Sequence, residues 1–301
     1  GRGAAARLPL SQNKRRSYGE RKTGEQILTH KKKAADPLGR GRGASPYTYT
    51  ALSIAGILTF FLVWQAATQF GWVSSRYLSE PTEIISLFFT KLHDTSPDGS
   101  TLQVNVLASL QVALTGLGLA IVIGVPLGWI MGWYRMADRF FSPIFEIIRP
   151  IPPISWIPLT IAWLGIGLGA KAFIIFFSAF VPCVINSYTG IKQTNQTLIN
   201  VAKTCGASNF TIFYKVGIPS ALSVTFAGIR VALGNAWSTL VAAEMLAANA
   251  GLGYMIQMGR MFARVDIIIL GMAVIGALGA LFAWVLGVFE RHFIKGGMRN
   301  G

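Results

Sequence analysis

Seven polar residues interrupt stretches that are otherwise almost free of charge: Glu146, Arg149, Arg230, Asn235, Ser238, Thr239 and Glu244. Ionisable groups inside apolar segments are costly and mark functional positions by default. An arginine guanidinium is a planar fork of donors that binds an oxyanion through two parallel hydrogen bonds. The chemistry on offer is therefore reversible binding of an anion along a solute route. Each residue also has a structural alternative. Glu146 and Arg149, three apart, can pair on one helix face. Arg230 can cap a helix or snorkel to a membrane border. Asn235, Ser238 and Thr239 can hydrogen-bond between helices. Catalysis finds no comparable support. His30, His93 and His292 are scattered, and no His/Cys/carboxylate grouping has metal-ligand spacing. There is no GxxxxGK[ST] phosphate loop. Gly165, Gly167 and Gly169 have the spacing of a Gly-rich loop but lack its strand–helix setting, and read as a turn.

The elements that must carry these residues are membrane helices. Of 301 residues, 52% are hydrophobic and only 13% are charged, and the mean hydropathy is +0.50. A soluble chain of this length needs more charge to cover its surface. Spans are expected at 47–70, 102–134, 140–166, 172–191, 220–243 and 267–289, because each can cross about 30 Å of hydrocarbon. The 102–134 run is long for one upright helix, so it predicts a tilted span or an interfacial helix plus a span, with a bend at Pro126 and Gly128. The 140–166 run is broken, because Pro150, Pro152 and Pro153 cannot continue regular helix.

Charge sets the expected orientation. Residues 1–46 hold 12 Lys/Arg and 3 Asp/Glu, so the head is read as a basic, disordered, cytoplasmic tail with no cleavable export signal. Six spans then return the basic 291–301 tail to the cytoplasm and place the net-acidic 71–101 loop and Glu244 on the outer side. Arg260 and Arg264, beside Asp266, are the exception to the positive-inside pattern. Cys183 and Cys205 fall in different settings and are expected as free thiols. Trp64, Trp72, Trp129, Trp133, Trp156, Trp163 and Trp284 are expected as interface anchors or packing.

The segment 194–219, TNQTLINVAKTCGASNFTIFYKVGIP, stands apart. Thr197 is placed to cap a short helix through Lys203 with an apolar face of Leu198, Val201 and Ala202. Gly206 is placed to end it in a left-handed conformation. Ser208 is placed to cap a second helix bearing Phe210, Phe213 and Tyr214. Gly217 and Pro219 then lead into the next span. An apolar knob of this kind outside the membrane is built to be covered by a partner or by lipid headgroups.

This segment resembles the EAA loop of permease subunits of ATP-binding-cassette importers. Asn200, Val201 and Ala202 occupy the EAA place, and Gly206 the glycine place, followed by Ala207. After nine residues come Val216, Gly217, Ile218 and Pro219. Asn200 departs from the usual glutamate. RPIPPISWIPLTIAWLGIG at 149–167 and IRVALGNAWSTLVAAEMLAANAGLGYMI at 229–256 resemble the nitrate/sulfonate/taurine/bicarbonate branch of the same family.

The resemblance implies an all-α polytopic membrane protein with the six-helix, type I (MetI-like) permease fold. The permease domain would be 47–290 and the coupling loop 194–219, with Asn200, Val201, Ala202, Gly206, Ala207, Phe210, Val216 and Pro219 contacting the ATPase. It implies a non-enzyme in a bacterial inner membrane, paired with a second permease subunit that is expected to be identical. Cytoplasmic ATPase subunits would hold the ATP and Mg, with no cofactor in this chain. A periplasmic or lipid-anchored binding protein would deliver a small solute, expected to be an anion such as nitrate, bicarbonate, a sulfonate or an aromatic acid. The competing reading is a secondary transporter or channel working alone.

Overall fold

The computed structural model describes residues 46–74 and 76–297. The basic head before Pro46, with His30, and the last four residues of the C-terminal tail lie outside the described residues. The chain divides into two units, Gly1–Phe61 and Leu62–Gly301. Helix α1, Pro46–Gln69, leads from the first into the second. All regular structure among the described residues is helical.

In the second unit α2 (Pro81–Lys91) precedes the long α3 (Leu102–Trp133). Of the two forms expected for 102–134, the single long span is the one present, with Pro126 inside one 32-residue helix. At 1.5 Å per residue it is about 48 Å long, so it crosses a bilayer only by tilting or protruding. Next come α4 (Arg135–Ile148), a 3-10 turn at Pro153–Trp156 and α5 (Ile157–Leu164). Here the prolines remove donors and crowd the preceding turn, and the chain bends by 83°. Then follow α6 (Leu168–Lys192), α7 (Gln196–Thr204), α8 (Asn209–Ile212), a π-turn at Phe213–Gly217 and α9 (Ile218–Ala247). The chain closes with α10 (Leu252–Met261) and α11 (Val265–Gly297). Among the described residues five segments are long and apolar enough to span a membrane unbroken, and the bent α4–α5 pair brings the number to six if it counts as one span.

The core is the triple contact of α3, α6 and α9. Val112, Ala120, Val125, Ile175, Ala179, Cys183, Ala232 and Leu240 are buried together there. Lipid is as apolar as these side chains, so close backbone approach must hold the helices together. α3 supplies it with a small residue every four positions. A Cβ on Gly116, Gly124, Gly128 or Gly132 would stand 2.7, 3.1, 2.5 or 2.8 Å from α6 atoms, and Ala120 completes the stripe. The same pairings show α3 and α6 running parallel. α9 runs antiparallel to both, with Ser178 bonded to Thr239 at 2.8 Å and Trp129 Nε1 donating to Thr225 at 3.0 Å. Trp129 is thus a core strut rather than an interface anchor. Cys183 and Cys205 are free thiols, one buried and one exposed.

Candidate functional site

The elbow between α6 and α9 is locked from behind and bare in front. Its first cap is Asn195, whose Oδ1 accepts from Thr197 N at 2.8 Å; Thr197 itself lies inside α7. Both residue types cap well, and the earlier one starts the helix two residues sooner, at Gln196. α7 ends as expected at Gly206, φ +76°, with Gly206 N donating to Lys203 O and Ala207 N to Ala202 O. These two bonds are the Schellman pattern, which satisfies the last carbonyls of a helix. Ser208 caps α8 by accepting from Thr211 N at 3.2 Å.

Phe213 then turns inward onto Trp133 and Tyr134, with ring centroids 5.5 and 5.7 Å away. Ile191 and Ala221 complete that cluster, and Trp133 Nε1 donates to Asn209. The outward face carries Leu198, Val201, Phe210 and Tyr214, exposed by 51, 56, 67 and 63%. Asn200 accepts from Gln196 across one helical turn. Pro219 is exposed in the first turn of α9, and Val216 is half-buried. An exposed apolar face of this kind is one that a partner or lipid headgroups would cover. Trp133, expected as an interface anchor or as packing, packs here against Phe213.

The residues expected along a solute route fall into separate places. Glu146 and Arg149 do not pair, and neither joins an ion pair among the described residues. Both line a cavity of about 240 Å3 with Ser142, Phe145 and Tyr188. Arg149 caps the end of α4 beside the proline break, so it is free to turn away from the helix face. Beside the cavity, Asp138 ties α4 to α6 by accepting from Ser142, Tyr188 and Lys192. Arg230 neither caps nor snorkels alone; it pairs with Glu290 of α11. Asn235 and Ser238 are exposed on α9, whereas Thr239 is buried against Ser178.

Glu244 is enclosed, only 1% exposed. Ser109 Oγ lies 2.8 Å from both carboxylate oxygens, and Gly253 N donates to Oε2 at 2.9 Å. Leu252 N donates to Ser109 Oγ and Gly251 N to Asn105 Oδ1. Three successive N–H groups at the start of α10 are thus received by side chains of α3 and α9. Gly251 has φ +131°, and a Cβ there would lie 2.5 Å from the Glu244 carboxylate, so only glycine fits. Asn105 also donates to Asp98 at 2.6 Å, and Lys91 meets Asp98 at 2.5 Å and the Ser96 and Ser100 carbonyls. All three lysine donors are satisfied. Arg264, the expected charge exception, is paired with Asp266; that hydrogen bond raises the guanidinium pKa.

Similarity to known proteins covers these elements. The sequence matches the family described as binding-protein-dependent transport system inner membrane component over residues 124–296. The Escherichia coli taurine transport system permease protein is 32% identical, across 80% of this chain and 88% of its own. A bicarbonate transport system permease protein of Synechocystis is 33% identical, across 76% and 83%. A probable ABC transporter permease of Brucella melitensis is 38% identical, across 64% and 78%. Among solved structures, an inward-facing MetNI methionine ABC transporter aligns with TM-score 0.52 at 21% identity, covering 65% of this chain and 95% of that one.

Proposed function

We propose, because this chain belongs to the family of binding-protein-dependent transport system inner-membrane components and is the permease subunit of an ABC importer, that its cargo is a small oxyanion and that its driving force enters through the elbow at 194–219. The observation that carries the second part is the contrast between the two faces of the elbow. Phe213 anchors the rear to α3, while Leu198, Val201, Phe210 and Tyr214 stand bare. A cleft on an ATPase subunit covers that bare face. Closure of the ATPase pair, which holds ATP and Mg, pushes α7 and α8 as one body. The push passes to α3 through the Phe213–Trp133 contact and to α9 through the π-turn.

The anion reading draws on relatives whose names specify taurine, aliphatic sulfonates and bicarbonate. All three solutes present an oxyanion group at neutral pH. A second permease subunit, identical in the simplest assembly, covers the exposed face of α9. Asn235 and Ser238 on that face would be costly against lipid, and two such faces enclose a polar route. The elbow end of the helices faces the cytoplasm, as do both termini. A binding protein delivers solute to the opposite end.

Reconstitution with the ATPase and binding protein tests this reading. Labelled taurine or bicarbonate should enter proteoliposomes only while ATP is hydrolysed. Uptake by the permease without its ATPase would instead establish a transporter working alone.

A further inference from the structure

Behind the elbow, away from its bare apolar face, lies a cavity of about 280 Å3. It opens among the last residues of α3 and α6, the rear of α7 and the start of α8. Trp133, Lys192, Thr194, Gln196, Lys203 and Asn209 are in its wall. Helical residues advance by about 100° each, so Gln196 and Lys203, seven apart, share one side of α7. Leu198 and Val201 stand on the other. One water needs only about 10–15 Å3 of such space, so the cavity has room for a much larger group.

The polar part of this wall is made of donors in want of an acceptor. Thr194 is 9% exposed, and its Oγ1 is buried with no hydrogen-bond partner. A buried hydroxyl left so is costly. Lys203 makes no hydrogen bond or ion pair among the described residues. Lys192 gives one donor to Asp138, 3.4 Å away, and an ammonium has three. Asn209 Oδ1 accepts from Trp133 Nε1, which leaves the amide nitrogen of Asn209 as a donor. Gln196 is the first residue of α7, so the positive end of that helix dipole lies here too. No carboxylate is in the wall.

Two cations and an orphaned hydroxyl call for a ligand that accepts hydrogen bonds and carries negative charge. A phosphate group does both, and its tetrahedral oxygens can meet donors arriving from α6, α7 and α8 together. The height of the cavity also suits it. At 25 residues α6 is long enough to carry Lys192 past about 30 Å of hydrocarbon and in among lipid headgroups.

We propose that this cavity is a phosphate-binding site that ties the rear of α7 to the end of α6. Its ligand is the headgroup phosphate of an anionic phospholipid or free phosphate. Lys192 and Lys203 supply the charge, and Thr194 Oγ1 and Asn209 Nδ2 supply direction. Binding here is independent of what covers the bare face of the elbow.

The test uses the permease–ATPase complex in nanodiscs, with MgADP present throughout so that the phosphate sites of the ATPase stay filled. In one arm the lipid is phosphatidylcholine alone, and inorganic phosphate is titrated against chloride at fixed ionic strength. In the other, phosphate is left out and the mole fraction of phosphatidylglycerol is raised stepwise. The melting temperature should rise in a saturable way in at least one arm, and amide exchange over 196–204 should slow with it. A rise with phosphate alone makes the ligand a free anion, and a rise with phosphatidylglycerol alone makes it a headgroup. Lys203→Met should weaken the half-saturation at least tenfold, and Lys203→Arg should keep it within a few-fold. Thr194→Val removes the orphaned hydroxyl at nearly constant shape. It should melt no lower than the wild type with the site empty, and its response should weaken severalfold.

Three results would overturn the proposal: no rise in either arm; an unchanged response in Lys203→Met or in Thr194→Val, which would make the effect one of bulk charge; or a rise in the permease alone that the ATPase abolishes, which would give the cavity to an acidic segment of that subunit. Labelling of Cys205 that the ATPase does not slow is a separate result: it would remove the coupling contact and leave the phosphate response as it is.

Discussion

Gly217 lies against Trp133 so closely that a Cβ on it would stand 2.9 Å from the indole ring. The last residue of the π-turn therefore has no slack against the end of α3. In the coupling proposed above, a push on the elbow passes to α3 and α9 through this contact. We expect Gly217→Val to leave membrane insertion intact and to lower transport-coupled ATP hydrolysis at least tenfold. Trp133→Ala should give a similar defect by removing the brace. Pairing Gly217→Val with Trp133→Leu, which frees ring volume, should recover part of the coupling. ATP hydrolysis with and without binding protein measures all three.

Gly206 makes a second, independent demand on the elbow. Its φ of +76° strains a β-branched residue by about 1–3 kcal/mol. Gly206→Val should unravel the α7 terminus and uncouple transport, while Gly206→Asn, which tolerates the left-handed region, should retain most of it. The ratio of uptake to ATP hydrolysed reports the difference.

The elbow was the most legible part of the sequence, because its signals are local. Glycine spacing, the Ser208 cap and the apolar face all fall within 26 residues, and the structure keeps them. Two details differ: the first cap is Asn195 rather than Thr197, asparagine being the stronger cap, and Phe213 turns inward instead of joining the apolar face of the second helix. The role of Glu244 was not legible. Its partner Ser109 is 135 positions away, and no local pattern links them. The small-residue stripe of α3 was present in the sequence at intervals of four, but Gly128 was read as a bend rather than as one member of a packing face.

That stripe predicts a contrast between neighbouring glycines. Gly128→Ile places atoms where Val184 O already lies 2.5 Å from a Cβ. It should lower stability by about 1–3 kcal/mol or more and shift denaturation in detergent accordingly. Gly118→Ala, on the same helix but in open space, should be neutral or slightly stabilising, since alanine is the better helix former.

Glu244→Ala removes the acceptor for Ser109 and Gly253 N. Each buried donor left without a partner costs about 1–3 kcal/mol, so the variant should melt well below the wild type. Glu244→Gln keeps one carbonyl acceptor and should lose much less. Hydrogen exchange at Leu252 and Gly253 should quicken in Glu244→Ala and stay protected in Glu244→Gln.

The Arg230–Glu290 pair is partly exposed, so its contribution to stability is small, about 0–1 kcal/mol. If Arg230 acts through α11, Arg230→Ala should slow uptake and Arg230→Glu/Glu290→Arg should restore it. Failure of the reversed pair to restore uptake would assign Arg230 to the solute instead.

Cys205 offers the most direct probe of the elbow, since it is exposed there and Cys183 is 1% exposed in the core. A maleimide should label Cys205 rapidly in the isolated permease. In the assembled complex hydrolysing ATP, the rate should fall at least tenfold as the ATPase covers α7 and α8. Labelling at the same rate in both would contradict the elbow as the site of coupling.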